Sequence, residues 1–168
     1  SQMKLIGKNS LSRLLVHGCF IAFALQLLNL GYAAFAYFSG ATGIKQIEIP
    51  FKGGALVASA NFANLGMALF YLAFYAVFTF FLCKIFHGMS SEITFNQEVI
   101  TWLKRFALLN VLAVPLLLLL GFWQFQDEAY ARNDSYIVLH LVLGIVIYFM
   151  LAYFKEGYEL QSQTELTI

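Results

Sequence analysis

The residues of this chain best suited to ligate a metal or haem are its three histidines, His17, His87 and His140. Two imidazoles can share a haem only at one depth on facing helices. His17 falls near the inner end of the first apolar run and His140 near the outer end of the fourth, so the two are not expected to meet. His87 can approach His17, but no third ligand follows at a suitable spacing. No metal site and no cofactor is expected. Cys19 and Cys83 form neither a metal-ligand spacing nor a redox pair in sequence, and read as small apolar packing residues. Ser90, Ser91 and His87 are close in sequence, yet no carboxylate or nucleophile turn accompanies them, so no catalytic residue is assigned.

The remaining polar chemistry is carried by side chains inside apolar runs: Asn29, Asn61, Asn64, Gln124 and His140. Groups of this kind do one of two things. They hydrogen-bond between helices, contributing about 0.6 kcal/mol each, or they converge on a pocket that holds a small uncharged molecule or a lipid headgroup. Which one applies depends on the elements that place them.

Those elements are membrane spans. The 168 residues are 61% hydrophobic and 11% charged, with a mean hydropathy of +0.75, which fits only an integral membrane protein. Ten Lys and Arg oppose nine Asp and Glu for a net charge of +1. That balance gives no reason to expect a direct nucleic-acid partner. Four uncharged runs are each long enough to cross a bilayer: residues 14–38, 60–83, 106–125 and 137–154. The fold expected is all-α, an integral membrane four-helix bundle forming one transmembrane domain over residues 1–168. Gly40, Gly43, Pro50, Gly53 and Gly54 mark residues 39–59 as a loop, with room for a short strand or hairpin.

Before the third run, Thr94 and Gln97 have capping-box spacing, and Phe95, Val99, Trp102 and Phe106 recur at helical intervals. Residues 94–105 therefore predict an amphipathic helix at the membrane surface or against a partner, leading into the third span. Pro115 should loosen that span by leaving the Val111 carbonyl without its helical donor. Residues 155–168 read as a tail outside the membrane. Seven of the ten basic residues fall at the amino end, between Lys84 and Arg105, or at Lys155. Lys45, Lys52 and Arg132 fall on the other side. Both termini are thus expected in the cytoplasm.

Helices in lipid associate through small or weakly polar faces. The expected bundle-facing residues are Gly18, Ala22, Asn29, Ala33 and Ala36 on the first span, with Gln26 at the margin, and Asn61, Asn64, Ala68, Tyr75 and Thr79 on the second. On the third they are Asn110, Val114, Leu117, Gly121 and Gln124, and on the fourth His140, Gly144, Ile147 and Leu151. Antiparallel spans would put Asn29, Asn61, Asn64, Gln124 and His140 in the outer half, with Asn29 as the floor of any pocket. No span contains Asp, Glu, Lys or Arg, which counts against ion-coupled transport.

The insertion I-T-F-N-Q-E-V-I-T-W-L-K-R-F and the closing F-K-E-G-Y-E-L-Q-S-Q-T-E-L-T-I, with four spans, resemble the YoaS-like small bacterial membrane proteins, a family of unknown function. The resemblance implies the bacterial cytoplasmic membrane and a small cytoplasmic helix-turn-helix regulator as partner. It brings no catalytic residues. The expected role is a non-catalytic regulatory or interaction protein in contact with membrane lipid, with a homo-oligomer left open. The alternative is binding or transport of an uncharged small molecule or lipid through the outward-facing polar cluster.

Overall fold

The computed structural model describes residues 10–39, 47–48, 55–56, 62–91, 93, 95–124 and 134–165. Four helices account for nearly all of them: α1 (Leu11–Phe38), α2 (Phe62–Met89), α3 (Gln97–Gln124) and α4 (Asp134–Glu165). All four are long and apolar enough to span a membrane, so the protein is an all-α, multi-pass membrane protein. Between α1 and α2, β1 (Ile47–Glu48) and β2 (Ala55–Leu56) form a minimal antiparallel pair, with Ile47 opposite Leu56 and Glu48 opposite Ala55. That is the hairpin anticipated for residues 39–59.

The chain divides into two compact units, residues 14–83 and residues 1–13 with 84–168. In the first unit, α1 and α2 touch at three levels. The Cys19 and Cys83 thiols are hydrogen-bonded, the Phe23 and Phe80 rings lie 5.7 Å apart, and Ala33 packs with Leu72. On α1 the inward residues Val16, Cys19, Phe23, Gln26, Leu30 and Ala33 recur at alternating intervals of three and four. This is the 3.5-residue seam of left-handed helix packing. It corrects the expected face: Gln26 is central and buried, whereas Asn29 and Gly18 are exposed. From Gln26 the seam steps to Leu30, and Asn29, one residue short of it and about 100° away round the helix, falls off the seam.

The second unit is built on α3 against α4. Buried Val99, Leu103, Phe106, Asn110, Ala113 and Leu117 on α3 face the same rhythm on α4, namely His140, Gly144, Ile147, Leu151 and Phe154. Here the predicted α4 face is the observed one. The α3 helix runs unbroken through Pro115 and joins the surface segment to the span without a turn. Its cap is Asn96 and not the expected Thr94, which lies outside the described residues. The Asn96 Oδ1 accepts from the Val99 N–H at 2.9 Å, the bond an N-cap side chain makes to the third helical residue.

α4 continues eleven residues beyond Phe154, to Glu165, where a tail was expected. Lys155 and Glu156 mark a change from apolar to polar surface, but a charge does not end a helix. Gly157 does not end it either, and the Phe95 ring lies against it: a Cβ at Gly157 would fall 2.6 Å from two Phe95 ring carbons. Phe95 also stacks edge-on against Phe154 at 5.4 Å.

Candidate functional site

The α2–α3 junction gathers the polar side chains of the second unit. An α-helix ends with four carbonyls that lack helical donors, and at the end of α2 each one is met. The Ser90 N–H donates to Phe86 O at 3.0 Å and the Ser90 hydroxyl to His87 O at 2.7 Å. Ser91 N–H and Asn96 Nδ2 donate to Gly88 O at 3.2 and 3.1 Å. The Ser12 hydroxyl donates to Met89 O at 3.4 Å and lies 2.6 Å from the Ser10 hydroxyl. Ser90 and Ser91 thus serve the turn, Ser91 donating to Ile93 O at 2.7 Å. One residue, Asn96, caps α3 through its oxygen and ties down α2 through its nitrogen.

Next to this junction two cations share one indole. Lys84 Nζ lies 5.8 Å from the Trp102 ring centroid and Arg105 Cζ lies 4.7 Å from it. Each contact is worth about 0.5–1 kcal/mol at a partly exposed site.

Higher on α3, the fully buried Asn110 meets His140, which is 2% exposed. His140 Nδ1 lies 2.8 Å from Asn110 Oδ1, and Asn110 Nδ2 donates to Phe106 O at 2.8 Å. A carbonyl cannot donate, so the amide nitrogen faces Phe106 and the amide oxygen faces the imidazole. His140 therefore carries its proton on Nδ1 and donates it. Asn110 is midway along α3, about 20 Å from Gln97 and about 21 Å from Gln124. His140 is six residues past Asp134, about 9 Å from the start of α4, close to the end of the helix expected for it. The pair joins the facing helices as a hydrogen-bonded clasp.

Of the expected outer cluster, His140 is buried against Asn110 in the second unit and Asn29 is exposed in the first. Asn61 and the side chains of Asn64 and Gln124 lie outside the described residues. The expected surface stripe turns inward: Val99 is fully buried against Gly88, Phe106 is buried, Phe95 packs on Phe154, and Trp102 is half-buried beneath its cations. The reason is register, since the residues that look like an interfacial face are the ones α3 turns toward its neighbouring segments. Among the described residues no group of three or more His, Cys, Asp and Glu could hold a metal ion.

Three features were not anticipated. Asn96 had a readable signal, because an Asn directly before Gln97 and Glu98 is a helix-start signature. The Asn110–His140 and Lys84–Trp102 contacts had none, because each joins residues on separate helices. No family model, curated protein or solved structure matches the chain.

Proposed function

We propose that the protein is a membrane regulator or interaction protein whose working surface is the polar end of α4. The observation that carries this reading is the continuation of α4 as one helix to Glu165, with Tyr158 and Leu160 exposed, Leu160 by 59%. An ordered helix with exposed apolar side chains among Glu156, Glu159 and Gln163 offers a preformed surface for a second helix, at little ordering cost. The distribution of Lys and Arg favours the cytoplasmic side for this end, and the resemblance to YoaS-like proteins suggests a small helix-turn-helix regulator as its partner. The alternative reading, an outward pocket for an uncharged compound, needs Asn29 turned inward, and Asn29 is exposed.

The test compares the full chain with a Tyr158→Asp/Leu160→Asp variant, each purified gently from its own membranes and examined by mass spectrometry. A soluble protein retained by the parent and lost from the variant is the expected result. The same retained set from both, with the variant still inserted and helical, would overturn the proposal.

A further inference from the structure

We propose that Lys84, Trp102 and Arg105 form a binding site for the headgroup of an anionic phospholipid, with one acyl chain lying along the exposed stripe of α3. This inference is independent of the role proposed for α4. Two cations from different helices converge on one half-buried indole, with centroid distances of 5.8 and 4.7 Å, and exposed Lys104 adds a third positive charge next to Arg105. Cations brought to one ring from two helices make a positive surface, and a phosphate there accepts charge-assisted hydrogen bonds from them. Glu98, the acidic residue of α3, lies one helical turn before Trp102, and the three basic residues Lys84, Lys104 and Arg105 outnumber it.

The surface beyond the cations completes the fit. Arg105, Leu108, Leu112, Pro115 and Leu119 recur at intervals of three and four and are all exposed, so they form one continuous stripe on α3. From Arg105 to Leu119 the stripe extends about 21 Å, more than the ~15 Å of hydrocarbon in one leaflet. A cationic group over an aromatic ring, at the head of an apolar track of acyl-chain length, matches an anionic phospholipid in both charge and shape. A zwitterionic lipid offers the same chain but brings a cation of its own. A basic pocket between helices at the membrane surface is a recognised lipid-headgroup geometry.

The experiment is native mass spectrometry of the full chain released from nanodiscs of phosphatidylglycerol and phosphatidylcholine with identical acyl chains. Phosphatidylglycerol should be retained preferentially, and the preference should fall as salt rises. Arg105→Gln should weaken retention about fivefold and Lys84→Gln/Arg105→Gln roughly twenty- to thirtyfold, at about one basic residue's worth per charge. Arg105 is exposed, so its single variant keeps the test sound if the double variant misfolds. Equal retention of the two lipids, or a preference unchanged by Arg105→Gln, would overturn the proposal. So would displacement of phosphatidylglycerol by inorganic phosphate alone, which would mean that the cations bind a free anion and the α3 stripe plays no part.

Discussion

Val99 occupies the space that Gly88 leaves open: a Cβ on Gly88 would fall 2.5 Å from Val99 Cγ2. This contact seats the end of α2 against the start of α3, with Asn96 holding both backbones beside it. A side chain at Gly88 has nowhere to go unless Val99 shrinks. Gly88→Ala should therefore destabilise the protein by about 1–3 kcal/mol, the range for overpacking, and Val99→Ala should restore part of that loss. Thermal melts of the two single variants and the double variant in detergent check this, and strictly additive losses would remove the steric explanation.

Gly157 and Gly144 should behave oppositely although both lie on α4. A Cβ at Gly157 meets the Phe95 ring at 2.6 Å, whereas one at Gly144 meets Val111 and Asn110 at 3.5 and 3.6 Å, ordinary contact distances. Gly157→Ala is expected to lower the melting temperature. Gly144→Ala should be neutral or stabilising by up to about 1 kcal/mol, because alanine loses less backbone freedom than glycine in a helix.

Asn96→Ala removes the α3 cap together with a donor to the Gly88 carbonyl, and should cost about 1–2 kcal/mol. Asn96→Asp keeps the capping oxygen but sets its second oxygen against the Gly88 and Ile93 carbonyls, to which the amide nitrogen donates at 3.1 and 3.0 Å, so it should recover little of the loss. Hydrogen exchange at the Val99 amide reads the cap directly, and it should lose protection in Asn96→Ala, more than the Ile100 amide, which donates to the Asn96 backbone carbonyl.

The Asn110–His140 clasp predicts coupling and not two independent losses. Either Asn110→Leu or His140→Leu leaves a buried polar partner behind, whereas the double variant removes both. A double-mutant cycle should give a coupling of about 0.6–1.7 kcal/mol, the span seen for hydrogen bonds between membrane helices. A coupling indistinguishable from zero would show that the two side chains do not rely on each other.

Cys19 and Cys83 test the α1–α2 register. Their thiols are in contact, so mild oxidation of the purified chain should form one intramolecular disulfide, lowering the mass by about two hydrogens, and Cys19→Ser should abolish it. Persistent free thiols under the same oxidant would place the two helices in a different register.

The amino-acid sequence alone determined that this chain crosses a membrane four times and roughly where. Uninterrupted apolar length is a local property, and lipid enforces it residue by residue. It also determined the inward face of α4, because His140 and Gly144 break an otherwise aliphatic helix on one side. It misplaced the face of α1, where small and polar residues lie on two sides, and the seam, fixed by contact with α2, chose Gln26 over Asn29. The tertiary structure decided which polar groups meet. Asn110 with His140, Cys19 with Cys83, and Lys84 with Arg105 over Trp102 each join helices whose relative register no single helix encodes. It also decided what lies beside α4 where the charges begin, since Phe95, a residue of another segment, packs against Gly157.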